Sequence, residues 1–137
     1  MKVLIDTNVL VSAVLFPQGL TRRALAQAIE GQDDAMVCDY SLDELCDVFA
    51  RKFPDDASLL PQFMNYLSRG VRIVRAPGTA TEQEVRLRDP KDQPILRAAI
   101  DSQADVILTG DRDFLDTELG HPYALSPRDY LNHLVDN

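Results

Sequence analysis

Short, continuous runs of apolar residues alternate along this chain with longer stretches of helical periodicity. The short runs predict strands, because strands buried on both faces of a sheet carry no polar alternation. They are bounded by acidic or turn-forming residues, which mark their ends. The predicted strands are Met1–Ile5, Ala35–Cys38, Val71–Val74, Val106–Leu108 and Tyr123–Leu125.

Helices are predicted between these strands and after the last one. Two have a specific opening signal, since Ser41 is followed three residues later by Glu44, and Thr81 by Glu84, as in a capping box. Pro127 after Ser126 suits the start of a terminal helix. Before this terminal helix, the predicted helices are residues 7–16, Thr21–Glu30, Ser41–Arg51, Ala57–Ser68, Thr81–Leu87, Asp92–Ser102 and Arg112–Leu119.

Strands that are separated by helices pair in parallel through right-handed crossovers. We therefore predict one three-layer α/β/α domain over residues 1–137, with a parallel sheet of four to five strands. The length suits a single domain. No apolar run approaches the ~20 residues that cross a bilayer, so no membrane partner is expected. Cys38 and Cys46 match no disulfide or metal framework, and we expect a cytoplasmic protein.

The acidic residues of this chain are mostly aspartates. The formal net charge is −8, and the 22 acids comprise 17 Asp and 5 Glu. Asp favours caps, turns and ion sites over helix interiors. Taken as composition alone, the charge argues against RNA binding, which usually depends on Lys and Arg contacts to phosphates. The positions of the acids change that picture.

Four acids follow four successive predicted strands, at the edge where parallel α/β sheets bind ligands. Asp6 ends the first strand, and Glu44 lies in the first turn of the helix after the second strand. Asp92 opens the helix after the third strand, and Asp111 follows the fourth. Unit charges ~5 Å apart repel by roughly 3 kcal/mol at an effective dielectric of about 20, so such a cluster needs protons or cations. Oxygen ligands without a Cys/His group indicate Mg²⁺ or Mn²⁺ rather than zinc.

Each of these acids also has a structural interpretation. Asp6 and Asp92 are placed to cap helices, Glu44 to complete the capping box, and Asp111 to form a turn. An N-cap carboxylate can still bind a metal, so the two roles are compatible. Beside them, Asn8 and Thr109 could orient a carboxylate or a water, Asp113 could join the site, and Asp89 fits an Asp-Pro turn; these are the remaining candidates.

At these residues the sequence resembles the PIN-domain nucleases. The matching segments are an apolar-flanked DTN at Val3–Val11, the helix acid in SLDEL, the pattern DxxIL…A at Asp92–Ala99, and TGDRDF at Thr109–Phe114. They stand in the family's order and cover nearly the whole chain at the family's usual length. The four segments together are more specific than the first one alone.

The resemblance implies a Mg²⁺- or Mn²⁺-dependent ribonuclease with an acidic site on a parallel sheet. Asp92 is preferred over Asp89 because it precedes the Ile95-Leu96 pair by three residues, as the family's helix acid does. The choice between Asp111 and Asp113 stays open. The implied metal-binding and catalytic residues are Asp6, Glu44, Asp92 and Asp111, with Asn8, Thr109 and Asp113 as supporting groups.

Many small members of this family are toxins that a partner antitoxin neutralises. The resemblance therefore implies an endoribonuclease toxin of a type II toxin–antitoxin system, with an RNA substrate, an antitoxin partner and a homodimeric state. One alternative is a PIN-like module that binds RNA or protein without cutting. Another is an aspartyl-phosphate phosphotransferase with Asp6 as nucleophile, which is disfavoured because Asn8 stands where such enzymes carry a second Asp. Basic groups such as Arg51-Lys52 are either solvated surface or guides for an RNA strand.

Overall fold

The fold was analysed in a computed structural model, which describes residues 1–135, with side chains described through Leu134. Within these residues one parallel sheet is formed by β1 (Lys2–Ile5), β2 (Asp34–Cys38), β3 (Arg72–Val74), β4 (Val106–Leu108) and β5 (Tyr123–Leu125). The strands lie in the order β3-β2-β1-β4-β5, and every pairing is parallel. The predicted parallel sheet is therefore confirmed, with β1 at its centre.

Helices connect the strands and cover both faces of the sheet. They are α1 (Thr7–Leu15), α2 (Leu20–Glu30), α3 (Asp39–Lys52), α4 (Leu60–Gly70), α5 (Gln93–Asp101), α6 (Arg112–Leu115) and α7 (Pro127–Val135). Single 3₁₀ turns at Pro54–Leu59 and Pro90–Asp92 precede α4 and α5. Among the residues described, no helix is long and apolar enough to cross a membrane.

Two apolar clusters, one on each face of the sheet, produce the predicted three layers. Successive side chains of a strand point to opposite faces, so Val3 and Ile5 pack with α1–α4 and α7, while Leu4 packs with α5 and α6. All three side chains are fully buried. The continuous apolar sequence of β1 follows directly from this burial on both faces.

The helix predicted over Thr81–Leu87 is wrong, because this segment is irregular and contains only a turn. Half of the capping box forms, since Glu84 accepts a hydrogen bond from the Thr81 backbone at 3.3 Å. The same carboxylate is held from α5 by Gln93 at 2.6 Å and by Arg97 at 2.9 Å. These tertiary contacts, rather than a local helix, determine the shape of the segment.

The capping box predicted at Ser41 is also wrong. α3 begins two residues earlier, at Asp39, whose carboxylate accepts hydrogen bonds from the backbone N–H groups of Tyr40 at 2.8 Å and Ala76 at 3.1 Å. Ser41 is fully buried inside the first turn. Glu44 lies beyond that turn, where the backbone N–H groups already have intrahelical partners, so it does not cap the helix.

Two other predicted boundaries shift. The helix expected over Ala57–Ser68 is a 3₁₀ turn followed by α4, with Pro61 in the first turn of the latter. The helix expected over Arg112–Leu119 ends at Leu115, because the Thr117 hydroxyl donates to the Asp113 carbonyl that a further helical turn would use.

Candidate metal centre

Three carboxylates meet at the carboxyl edge of the sheet. Asp6 follows β1 and Asp111 closely follows β4, and these strands are neighbours with Ile5 opposite Leu108. Asp92 reaches the same edge from the turn before α5. One oxygen from each of the three acids lies within 4.8 Å of the other two. The structure thus brings together three of the four acids that the sequence placed at strand ends.

Glu44 stands apart from these three acids but faces the same space. It projects from α3, half-buried, and lines a cavity of about 440 Å³ together with Asp6, Asp92 and Asp111. Its negative charge contributes to raising the pKa of Asp6. The geometry therefore separates a tight group of three acids from a fourth across the cavity.

The Asp6 carboxylate is held in place by three donors. One oxygen accepts from the Thr7 backbone at 2.8 Å, which makes Asp6 the N-cap of α1. The other accepts from the Thr109 hydroxyl at 2.7 Å and from the Asn8 amide at 3.1 Å. Thr109 in turn accepts from the Asp111 backbone at 2.9 Å. Asn8 and Thr109 thus lie where they orient Asp6, and capping and site geometry coexist at that residue.

The two buried acids resist ionisation. Burial raises the pKa of Asp6 from 3.8 to about 6, against the opposing effect of the Thr109 and Thr7 hydrogen bonds, and the charges of Asp111 and Glu44 raise it further. Burial also raises the pKa of Asp92 to about 8, helped by a hydrogen bond with Asp111 and by the neighbouring negative charges. A nearby cation would reverse both effects, because it favours the charged form of each acid.

Asp92 does not act as a helix cap. Its backbone is already helical and its side chain makes no capping hydrogen bond, so that structural interpretation is wrong. Asp89 does accept from the Lys91 backbone at 3.0 Å, as expected for an Asp-Pro turn. One buried Asp92 oxygen, Oδ2, has no hydrogen-bond partner among the described residues. A buried carboxylate oxygen without a donor fits a cation ligand, since otherwise its desolvation is uncompensated.

The segment after β4 supplies a further acid. Asp111 accepts from the Asp113 backbone at 2.9 Å and so caps α6. One carboxylate oxygen of Asp113 lies within 4.8 Å of oxygens from Asp89 and Asp92. Its carboxylate also lies 3.3 Å from the exposed guanidinium of Arg88. Asp113 therefore adjoins the tight group of acids on its outer side rather than lying among them.

An oxygen-only donor set of this kind fits a hard divalent cation. Asp6, Asp92 and Asp111 supply adjacent oxygens, and Glu44 adds a fourth carboxylate across the cavity. At 4.8 Å, two full negative charges would repel by about 3 kcal/mol at an effective dielectric of about 20. A cation relieves that repulsion and gives the partnerless Asp92 oxygen a ligand role.

Sequence reasoning missed the far part of this cavity. Beyond the acids it is lined mostly by apolar side chains and by one lysine, Lys52. The sequence had left Lys52, as part of the Arg51-Lys52 group, either as solvated surface or as a guide for an RNA strand. A signal was present, because Glu44, Val48 and Lys52 recur at intervals of four and therefore share one face of α3. Without the fold, nothing indicated that α1 packs beside that face.

The family model for the PIN domain matches residues 2–113. The chain therefore belongs to the PIN domain family. No curated protein matches the sequence significantly.

Solved structures show the same fold at low sequence identity. VapBC2 from Rickettsia felis, bound to a DNA fragment from its promoter, is 19% identical with a TM-score of 0.67, covering 92% of this chain and 98% of its own. DNA-bound VapBC from Salmonella typhimurium is 16% identical with a TM-score of 0.68, covering 93% and 98%. A domain of unknown function from Methanocaldococcus jannaschii is 15% identical with a TM-score of 0.58, covering 91% and 89%.

Proposed function

We propose that this protein is a metal-dependent endoribonuclease and the toxin component of a type II toxin–antitoxin pair. The observation that carries the proposal is the group of three carboxylates, Asp6, Asp92 and Asp111, with a buried Asp92 oxygen that has no hydrogen-bond partner. Membership of the PIN domain family supports a nuclease. Similarity in fold to two VapBC structures supports the toxin role.

The proposed roles follow from the positions of the side chains. Asp6, Asp92 and Asp111 would hold one or two Mg²⁺ or Mn²⁺ ions, and Glu44 would bind directly or through water. Such an ion supplies Lewis acidity, which activates water and stabilises charge on a phosphodiester. Thr109 and Asn8 keep Asp6 in one orientation through their hydrogen bonds. We expect water as the nucleophile and products with 5′-phosphate and 3′-hydroxyl ends.

Cleavage of RNA by the purified protein tests this proposal. We expect cleavage in Mn²⁺ or Mg²⁺, none in EDTA, and none from the variants Asp6→Asn and Asp92→Asn. Asp43→Asn is a matched control, because Asp43 is an exposed carboxylate that immediately precedes Glu44 on α3. Cleavage that survives EDTA or both substitutions would contradict the mechanism. A folded, metal-loaded protein that binds RNA without cutting it would favour the non-cleaving alternative.

The toxin role requires a partner that neutralises the protein. An antitoxin that places a basic side chain among the acids would replace the charge of the cation. Expression of the wild-type protein should arrest bacterial growth, expression of Asp6→Asn should not, and the product of an adjacent gene should restore growth. The proposed homodimer is tested by sedimentation of the purified protein, where a monomeric mass would contradict it.

A further inference from the structure

The cavity that contains the four acids extends well beyond them. Its remaining walls come from α1 and α3, which pack side by side. No metal role requires these walls, since they carry mostly apolar groups. Beyond the acids and their neighbours Thr7 and Asn8, the side chains that line the cavity are Val11, Ser12, Leu15, Phe16, Val48, Lys52 and Phe53.

The two helices give this extension a direction. α1 begins directly after β1 and α3 directly after β2, so both start at the edge of the sheet where the acids lie. Both end in a phenylalanine, Phe16 after α1 and Phe53 after α3. Along α3, the rise from Glu44 to Lys52 is about 12 Å at 1.5 Å per residue. The cavity therefore has carboxylates at one end, and two phenyl rings with an ammonium group at the other.

The two rings both line the cavity but differ in exposure. Phe16 is 62% exposed, although it lines the cavity, and the apolar core does not use it. Phe53 is half-buried and lies against the buried ring of Phe49, with ring centroids 5.5 Å apart, which restricts its orientation. Aromatic rings that are exposed beside a cation are the means by which proteins stack unpaired bases and bind the strand's phosphates.

We propose that this extension is a base-binding subsite for single-stranded RNA. A base about three nucleotides from the scissile phosphate stacks on Phe16 and Phe53, and Lys52 binds a phosphate beside that base. The inference rests on the proposed ribonuclease function, because it assumes that the phosphodiester at the acids is RNA. At the ~3.4 Å rise of a stacked strand, 12 Å spans about three nucleotides.

The order of charges favours RNA over a peptide in this cavity. A nucleic acid strand alternates phosphates with flat apolar bases, which matches a cation at the acids, an apolar middle, and two aromatic rings with Lys52 at the far end. A basic peptide would gain at the acids but would be repelled by Lys52. Duplex RNA is a poor occupant, since its bases are already stacked on one another and paired.

Binding of a short oligonucleotide tests the subsite. The parent is full-length Glu44→Gln in Mg²⁺, which keeps the three carboxylates Asp6, Asp92 and Asp111, and the probe is an unstructured, fluorescein-labelled RNA pentanucleotide measured by anisotropy. We expect Phe16→Ala to weaken binding about 5- to 160-fold, the range for loss of one stacked base. Phe16→Leu should be similarly weak, and Phe16→Tyr should bind like the parent. The same RNA annealed into a duplex should bind at least about tenfold more weakly.

Two matched controls separate the subsite from general effects. Lys52→Ala should reduce the slope of log affinity against log salt by about 0.7, the value for one phosphate contact on a single strand. Arg51→Ala removes the same charge one residue earlier, outside the cavity, and should leave the slope unchanged. Tyr123→Ala removes an exposed ring on β5 and should not affect binding. Phe53→Leu, which retains an apolar contact with Phe49, gives a second test of stacking if Phe53→Ala fails to fold.

The outcomes distinguish this proposal from the proposed function. Unchanged RNA affinity in folded Phe16→Ala and Phe53→Leu would overturn the subsite. Variants that lose binding to a protein antitoxin but keep their affinity for RNA would also overturn it. In the otherwise wild-type enzyme, cleavage of the pentanucleotide with undiminished kcat/KM after Phe16→Ala would also overturn it. A wild-type protein that binds the RNA through Phe16 but never cuts it in Mg²⁺ or Mn²⁺ would refute the nuclease and leave the subsite standing.

Discussion

Replacing Asp6 by Asn should stabilise the protein in the absence of metal. The pKa of Asp6 lies at about 6 in the folded protein against an ordinary 3.8, so the folded state holds the proton more tightly than the unfolded chain does. The stability associated with that proton is complete below about pH 4 and is lost as the pH rises through 6. At 1.36 kcal/mol per pH unit, the loss is about 3 kcal/mol.

The substitution also has a cost, which the hydrogen bonds of Asp6 define. Asn keeps one oxygen for the Thr7 backbone, but its amide group replaces the oxygen that accepts from both Thr109 and Asn8. The Thr109 hydroxyl can rotate and accept from that amide, so only the Asn8 hydrogen bond is lost, at a cost of about 1 kcal/mol. The net gain near pH 7.5 is therefore about 2 kcal/mol, or about 7 °C in Tm at 2.1 cal/mol/K per residue of unfolding entropy.

Thermal unfolding followed by circular dichroism measures this difference. In EDTA, Asp6→Asn should exceed the wild type in Tm by about 7 °C at pH 7.5, and the two should be nearly equal at pH 4.5. Saturating Mg²⁺ should reverse the order at pH 7.5, because only the wild type then gains binding energy. Asp43→Asn, which changes an exposed carboxylate, should show none of these shifts. An Asp6→Asn protein that is less stable than the wild type at pH 7.5 in EDTA would refute the reasoning.

Three further predictions concern metal binding and two buried polar contacts. Mg²⁺ at 100 times its Kd should stabilise the wild type by about 2.7 kcal/mol, about 9 °C in Tm, whereas Na⁺ at equal ionic strength should not. Glu84→Gln should cost about 2 kcal/mol in urea denaturation at pH 7 because it weakens the contact with Arg97, with exposed Glu82→Gln as the control. Although burial opposes it, the Arg97 hydrogen bond holds the pKa of Glu84 below its ordinary 4.5, so this difference should vanish as acid protonates the folded Glu84. A difference between the two proteins that does not shrink on acidification would contradict the ion pair. Tyr130→Phe removes the 2.6 Å hydrogen bond to Asp33 and should cost about 1 to 2 kcal/mol in urea, and an unchanged midpoint would contradict that role.

Local sequence patterns gave wrong helix boundaries where tertiary contacts compete with local hydrogen bonds. The capping signals at Ser41 and Thr81 both follow sound local rules, yet α3 starts at Asp39 and no helix forms over Thr81–Leu87. At the first site, the Asp39 carboxylate accepts from the Ala76 backbone across the fold, and the helix begins at Asp39 ahead of Ser41. At the second site, the Glu84 carboxylate is bound by the α5 side chain of Arg97. Sequence separations of 37 and 13 residues place these contacts outside any local pattern.

The strands, their parallel pairing and the positions of the acids along the chain could all be predicted from the sequence. This was possible because burial on both faces demands uninterrupted apolar runs, and because Asp6 and Asp111 directly follow or closely trail such runs. Asp92 and Glu44 were placed by the helices that follow the third and second strands. Local sequence patterns predict neither the order of the strands in the sheet nor the distances among the acids. The fold brings Asp6, Asp92 and Asp111 together, while Glu44 lines the same cavity apart from them. That cavity exists because α1 and α3 follow the neighbouring strands β1 and β2 and therefore pack side by side. Which strands are neighbours depends on tertiary packing and cannot be deduced from the periodicity of the sequence.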